Sequence, residues 1–99
     1  MTELTGKQRA KLRALANRLE VILHIGKEGL TENILKQADM LLENRELIKI
    51  AILQNAGEEA KNLIGICCEK LGASPVQFIG GRFIIYRRSN KPDIEHIEI

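Results

Sequence analysis

The segment from Leu47 to Leu53 constrains the fold more strongly than any other part of the chain. Isoleucine stands at every second position of this segment, and the positions between are also apolar except for Lys49. A strand that is apolar on both sides is typical of a sheet with both faces covered by helices. We therefore expect helices to cover much of both faces of a sheet that contains this strand.

Helical and strand-like patterns alternate along the 99 residues and predict the order αβαβαββ. The predicted helices run from Thr5 to about Leu19, from Thr31 to about Asn44, and from about Ala60 to a stop at Gly72. The predicted strands cover residues 21–25, 47–53, 75–79 and 82–87, and the last two are joined at Gly80 and Gly81 in a hairpin.

The predicted fold class is α/β, with one compact domain over residues 1–99 and a polar tail from about residue 90. Each strand–helix–strand connection makes neighbouring strands parallel, and the closing hairpin adds an antiparallel pair, so we expect a mixed four-stranded sheet. In the tail, the alternating Ile94, Ile97 and Ile99 fit either an edge strand or a disordered segment, and the sequence does not decide between these.

Composition and motifs exclude several classes of protein. The amino terminus has no apolar leader and the apolar runs are too short to span a membrane, so we expect a cytoplasmic protein with no membrane partner. Cys67 and Cys68 are adjacent in a predicted helix, where their side chains diverge. We expect them to be two buried thiols, with neither a disulfide nor a metal site.

The sequence does not indicate catalysis. His24 stands among apolar neighbours in a strand and is predicted to be buried or half-buried, whereas His96 lies in the tail without nearby ligands. No nucleophile is paired with a recognised base motif, and the nucleotide-binding P-loop pattern is missing. We predict a protein that is not an enzyme and has no cofactor, metal or small-molecule substrate.

The tetrapeptide GKEG, from Gly26 to Gly29, lies between the first predicted strand and the second helix. Glycine lets a backbone approach a ligand closely, and the first amides of a helix have no partner within the helix. A phosphate is a favourable ligand at such a place. Because two glycines at this spacing arise readily by chance, the location of the tetrapeptide matters more than its sequence.

The net charge is only +2, but the basic residues are concentrated in two regions. Residues 1–27 carry six basic side chains against two acidic ones, and residues 80–91 carry four basic ones. On a helical wheel, Lys7, Lys11 and Arg18 flank one side of the first helix's apolar stripe, and Arg9 and Arg13 flank the other. These basic residues could simply belong to a solvent-exposed face of the helix. However, no acidic residue lies between Lys7 and Arg18 to form ion pairs with them, and this favours a polyanionic partner.

Four motifs follow one another along residues 4 to about 88: LTGKQ at 4–8, VILHI with GKEGLT at 21–31, ELIKI at 46–50, and QFIG with IIYR at 77–80 and 84–87. In this order they resemble the CRM domain, the chloroplast RNA splicing and ribosome maturation module. The similarity is to its single-domain bacterial form, the YhbY-like family.

The resemblance implies an α/β RNA-binding domain with a glycine loop similar to the GxxG loop of KH domains. It also implies that the chain associates with precursors of the large ribosomal subunit and assists ribosome assembly. Separately, we expect the protein to be a monomer. Carried onto this sequence, the family's RNA-binding elements are the basic first helix, the glycine loop and a terminal Tyr-Arg pair. These fall on Lys7, Lys11, Arg18, Gly26, Lys27, Glu28, Gly29, Tyr86 and Arg87.

We expect binding without chemistry. The amides of Gly26 and Gly29 would hold the sugar-phosphate backbone, and Arg82 or Arg87 would extend the track if the hairpin lies beside the loop. Glu28 would repel a phosphate unless it points aside or contacts a base or a ribose hydroxyl.

There are two alternatives to this mode of RNA binding: stacking of bases on the sheet, and a different class of function. Stacking of RNA bases on the sheet is disfavoured because the chain has only three aromatic residues, Phe78, Phe83 and Tyr86. The competing class of function is a protein-interaction module that docks through its acidic middle helices or its isoleucine-bearing tail.

Overall fold

The computed structural model describes residues 4–53 and 60–99, and within them three helices and four strands follow the predicted order. The helices are α1 (Gly6–Ala16), α2 (Glu32–Arg45) and α3 (Ala60–Leu71). The strands are β1 (Val21–Ile25), β2 (Leu47–Ile52), β3 (Ser74–Ile79) and β4 (Arg82–Tyr86). The predicted α/β class and the mixed four-stranded sheet are confirmed.

Threonine caps fix the start of α1 and α2, as the sequence predicts. Thr5 forms a capping box with Gln8, in which the Thr5 hydroxyl accepts from the Gln8 N–H at 3.1 Å and the Gln8 side chain accepts from the Thr5 N–H at 3.0 Å. The Thr31 hydroxyl accepts from the Ile34 N–H at 3.2 Å. Both helices therefore begin where a side chain replaces the missing backbone acceptor.

The first helix ends earlier than predicted. α1 stops at Ala16, and the next amides fold back tightly, since the Arg18 N–H donates to Leu15 O and the Leu19 N–H donates to Ala16 O. Bonds of this short spacing close the last turn of a helix. Arg18 therefore lies in the turn after α1, and its predicted place on the helix is wrong.

The strands lie in the order β1-β2-β4-β3. β1 and β2 are parallel, and β4 pairs antiparallel with β2 on one side and with β3 on the other. The prediction that strands joined through a helix are neighbours holds for β1 and β2 but is wrong for β2 and β3, which β4 separates. Four of the five residues of β4 are buried, so this strand suits the interior of the sheet better than an edge.

Alternation along the strands divides the core into two clusters, one on each face of the sheet. The larger cluster includes Ile48, Ile50 and Phe83 and joins the sheet to α2 and α3. On the other face, Leu12 and Ala16 of α1 belong to a smaller cluster with four strand residues, Leu47, Val76, Ile84 and Tyr86. Each face of the sheet therefore packs against at least one helix, as the apolar pattern of β2 predicts.

The carboxyl-terminal segment packs on the same side as α1 and forms no edge strand. Ile97 and Ile99 pack against the smaller cluster. Glu46, fully buried after α2, accepts hydrogen bonds from the Ser89 and Ile97 N–H groups, each at 2.7 Å, and its carboxylate lies 2.7 Å from His96 Nδ1. One buried carboxylate therefore connects the end of α2 to two separate points of the segment.

Candidate nucleic-acid interface

The GKEG tetrapeptide forms a tight turn between β1 and α2. The Gly29 N–H donates to Gly26 O at 2.9 Å, and the Thr31 N–H donates to Gly29 O at 3.1 Å. Gly29 has a φ of 74°, which residues other than glycine rarely adopt. Lys27 and Glu28 stand at the tip and are both exposed, so the Glu28 side chain has solvent into which it can turn away from an anion.

The internal bond of the turn changes which amides can hold a phosphate. The Gly29 N–H is already engaged by Gly26 O, so it is not the free donor that the sequence analysis expects. The amides of Lys27, Glu28 and Leu30 have no acceptor among the described residues. The first two amides of α2 are equally unpartnered there, as is usual at a helix start. The donors available to a ligand are therefore those beside Gly29.

Three segments meet at this end of the sheet. The Leu53 N–H, just after β2, donates to Ile25 O at 2.9 Å, and the Ile52 N–H donates to Gly81 O at 2.7 Å. The hairpin turn thus lies beside the end of β2, and the end of β2 lies beside the GKEG turn. Arg82, the first residue of β4, is exposed at the same end, as the proposed extension of the track requires.

The basic helix lies at the other end of the same sheet. α1 packs against Leu47 and Tyr86, which form the register pair farthest from the GKEG turn along β2 and β4. Lys7 and Lys11 are exposed, and neither forms an ion pair with any residue that the structure describes. The helix and the turn therefore do not adjoin, and the stretch of sheet that separates them is covered by none of the described helices.

Arg87 occupies a structural position. Its guanidinium donates to Asp39 Oδ1 at 2.7 Å and to Glu43 Oε2 at 3.0 Å, and it also donates to the backbone oxygens of Leu71 and Asp39 at 2.9 and 3.0 Å. The Arg87 side chain is only 16% exposed. It joins the end of β4 to α2 and α3, at the end of the sheet away from the GKEG turn, so it does not extend the track as expected.

His24 is exposed, so the prediction that it is buried or half-buried is wrong. Leu23 and Ile25 point into the larger cluster, and alternation therefore places His24 on the opposite face of the sheet. On that face it lies beyond the part that α1 covers. The sequence signal that could have found His24 is strand alternation. If Leu23 and Ile25 are assumed to be buried, alternation places the His24 side chain on the opposite face.

The remaining chemistry of the described residues is structural. Cys67 and Cys68 are buried free thiols, as predicted. Burial raises the pKa of Cys67 to about 12, assisted by the adjacent Cys68, and burial raises the pKa of Cys68 to about 11. No cluster in the described part of the chain has three groups suited to hold a metal ion.

A groove of about 1000 Å³ lies at the far end of the sheet, between α1 and the carboxyl-terminal segment, where Gln8, Tyr86 and Ile99 line it. Because Ile97 and Ile99 pack against the chain's own core, they are not free to act as a docking surface, and the tail is one of the two surfaces that the interaction hypothesis names. Across residues 4–53 and 60–99, no helix has the length and apolar character needed to cross a membrane.

Comparison with known proteins identifies a family for nearly the whole chain. The family described as the CRS1 / YhbY (CRM) domain matches residues 4–87. This span includes α1, the GKEG turn and all four strands.

Individual relatives agree with this match. A Bacillus subtilis protein named "Probable RNA-binding protein YqeI" is 38% identical over 88 residues, which cover 89% of this chain and 92% of the relative. A Haemophilus influenzae protein named "RNA-binding protein" is 33% identical over 95 residues, which cover 96% of each. Both relatives are named for RNA binding, and neither is named for an enzymatic activity.

A solved structure shares the fold. The solution structure of the protein SAV1595 from Staphylococcus aureus superposes with a TM-score of 0.78 at 45% sequence identity, covering 96% of this chain and all of that one (100%).

Proposed function

Since the chain belongs to the CRS1 / YhbY (CRM) domain family, we propose that it binds RNA through the GKEG turn and the basic residues of the amino-terminal region. The observation that carries this proposal is the turn itself. Its exposed tip presents backbone amides without internal acceptors next to the start of α2, where a helix dipole favours an anion.

The proposed contact residues are those of the sequence analysis, except that Tyr86 is left out because it is buried and that Gly29 and Arg87 change role. Gly29 shapes the turn through its positive φ, and the neighbouring amides do the binding. Arg87 is left out because its guanidinium is engaged within the fold. The proposed set is Lys7, Lys11, Arg18, Gly26, Lys27, Glu28, Gly29 and Arg82.

We further propose that the RNA is ribosomal, in precursors of the large subunit, and that the protein acts there as a monomer in the cytoplasm. The support is the resemblance to the bacterial YhbY-like family, whose members associate with such precursors. Crosslinking in cells followed by sequencing of the bound RNA tests this part. Recovery of mainly DNA, or of RNA without large-subunit sequences, would contradict it.

The electrostatic part is tested by removing three lysines together, as Lys7→Gln, Lys11→Gln and Lys27→Gln. Each phosphate contact to a single strand contributes about 0.7 to the slope of log affinity against log salt, so the triple variant should bind more weakly with a slope smaller by about 2. Fluorescence anisotropy of a labelled single-stranded RNA of about 15 nucleotides, titrated at several salt concentrations, measures both quantities.

A matched control removes the same charge from elsewhere, as Arg45→Gln, Lys70→Gln and Lys91→Gln. These exposed residues lie at the end of α2, in the last turn of α3 and in the carboxyl-terminal segment, away from the proposed interface. The control should keep the wild-type slope. If both triple variants lose affinity equally, the attraction is a general effect of net charge and the assigned site is wrong.

A further inference from the structure

Among residues 4–53 and 60–99, no helix or strand covers the end of the α1-bearing sheet face that lies beside the GKEG turn. Leu47, Ile84 and Tyr86 belong to the cluster beneath α1, so strand alternation places Lys49, Ala51 and Arg82 on the same face. Lys49 and Ala51 are partly exposed and Arg82 is fully exposed. With His24 they form what we call the open patch: His24, Lys49, Ala51 and Arg82.

The strand register brings these residues side by side. His24 of β1 is paired with Ala51 of β2, and Ala51 is paired with Arg82 of β4. Adjacent strands lie about 4.8 Å apart, so the backbone positions of His24 and Arg82 are about 10 Å apart, on either side of a small residue. Lys49 lies one row closer to α1, where it is paired with Val21 and Ile84.

The open patch occupies the stretch between the two elements of the proposed RNA interface. Going along β2 from α1 toward the turn, the residues on this face are Leu47 under α1, then Lys49, then Ala51. β1 and β2 then end beside Gly26, which follows directly after Ile25, the partner of Ile52. The open patch therefore lies on the direct path of an RNA strand that contacts both α1 and the GKEG turn.

The charge of the patch suits such a strand. None of the four strands contains an acidic residue. The side chains of His24, Lys49 and Arg82 form no hydrogen bond or ion pair with any described residue. Their polar groups are thus available to a ligand, and no carboxylate from the strands repels a phosphate.

We propose that unpaired bases of a bound RNA strand stack on the His24 ring and the Arg82 guanidinium, with Lys49 beside them on the phosphate backbone. This rests on the proposed RNA-binding function and names the kind of RNA segment that the site takes, a single strand. Unstacked bases rest on histidine rings and arginine planes as well as on the larger aromatics, and the exposed pair at this spacing offers two such planes.

The same observation revises the expectation that base stacking on the sheet is disfavoured. That expectation counts aromatic residues, of which Phe83 and Tyr86 are buried, whereas Phe78, the register partner of Phe83, is 36% exposed. It overlooks the fact that α1 covers only part of its face, so that planar side chains outside the usual aromatic set remain exposed there. An incompletely covered sheet therefore offers a stacking surface that composition does not reveal.

The test measures anisotropy with a labelled single-stranded RNA of about 15 nucleotides and with an RNA duplex of the same length. His24→Ala and Arg82→Lys should each weaken single-strand binding about five- to tenfold. This factor corresponds to the lower end of the range of binding free energy that one stacked base contributes. Because neither variant removes a phosphate-binding charge from the site, the salt slope should be unchanged. His24→Phe should restore affinity, and duplex binding should not respond to any of the three.

Arg88→Lys is the matched control, because Arg88 is exposed just beyond the other end of β4 and should tolerate the same substitution without effect. If the lysine triple variant loses binding but His24→Ala and Arg82→Lys do not, the open-patch proposal is overturned and the proposed function stands. Single-strand and duplex affinities that fall together in these variants would also overturn it. If the wild-type chain binds no RNA, both proposals fail.

Discussion

At the scale of single residues, the two glycines of the GKEG turn do different work. Gly29 has a φ of 74°, whereas Gly26 has no positive φ. A Cβ placed on Gly26 would lie 3.6 Å from Leu53 Cδ1, which is an ordinary contact. The fold therefore requires a glycine at position 29. It does not require one at position 26, where ligand binding rather than folding can determine the residue.

This difference predicts opposite outcomes for two alanine substitutions. Gly29→Ala should lower the free energy of unfolding by about 1–2 kcal/mol, because alanine is strained at this φ. Gly26→Ala should change it by less than about 0.5 kcal/mol, yet should weaken RNA binding if RNA approaches the backbone there. Urea denaturation and RNA anisotropy on the same samples compare the two. Full RNA affinity in Gly26→Ala would remove Gly26 from the interface.

Glu46 is the residue least expected from the sequence. It is fully buried and adopts a φ of 66° at the end of α2. Burial pushes the pKa of the carboxyl upward, but hydrogen bonds from His96, Ile97 and Ser89 outweigh burial and hold the pKa below its usual value. A carboxylate in this state stabilises the folded chain at neutral pH.

The lowered pKa of Glu46 predicts how stability depends on pH. A depressed pKa contributes stability above the pKa of the unfolded state, about 4.3, and this contribution is lost as pH falls through the folded-state pKa. Glu46→Gln should cost about 1–3 kcal/mol at pH 7 because a hydrogen-bonded charge is removed. Thermal melts should show the two proteins converging below about pH 4.5.

Glu95→Gln is the control for this experiment, because Glu95 is an exposed carboxylate of the same segment. It should follow the wild-type curve across the pH range. A constant gap between wild type and Glu46→Gln down to pH 3 would mean that folding does not lower the pKa of the Glu46 carboxyl.

At the scale of elements, local signals predicted most of the fold and tertiary pairing decided the rest. Thr5 and Thr31 cap their helices, and Gly80 and Gly81 take the positive φ values of a hairpin turn, because each depends on its own neighbours. The position of β4 between β2 and β3 depends on which strand is most completely buried, and no local pattern encodes that choice. Strand alternation can place His24 on the face that carries α1, but its exposure there depends on how far α1 reaches, which no local pattern encodes.

Arg87 shows how a residue assigned to binding by resemblance can instead hold elements together. Its contacts with α2 and with the end of α3 predict that Arg87→Ala lowers the free energy of unfolding by about 2–4 kcal/mol. RNA affinity of the fraction that remains folded should be unchanged. Urea denaturation measures the first and anisotropy in the absence of urea measures the second.

The neighbouring Arg88→Ala serves as the comparison, because Arg88 is exposed and makes no ion pair with the described residues. It should leave stability within about 0.5 kcal/mol of wild type. A loss of RNA affinity in Arg87→Ala without any loss of stability would return Arg87 to the binding surface.

At the scale of the whole molecule, the larger core cluster draws on α2, α3 and all four strands or their flanking residues, and Cys67 and Cys68 lie within it. A thiol reagent can reach them only when α3 separates from the sheet. Because α2, α3 and the sheet share one cluster, we expect that separation to require the unfolding of the entire domain.

The two thiols therefore report on the cooperativity of the molecule. Because the pKa values of Cys67 and Cys68 are raised to about 12 and about 11, almost no thiolate forms at pH 8, and a disulfide reagent should react very slowly with the folded chain. In denaturant both thiols should react promptly. The logarithm of the reaction rate should rise with urea concentration. Expressed as a free energy, its slope should equal the slope with which the global free energy of unfolding falls, because thiol exposure and global unfolding expose the same surface. A much shallower slope would show that α3 opens separately, and the domain would then consist of two units of unequal stability.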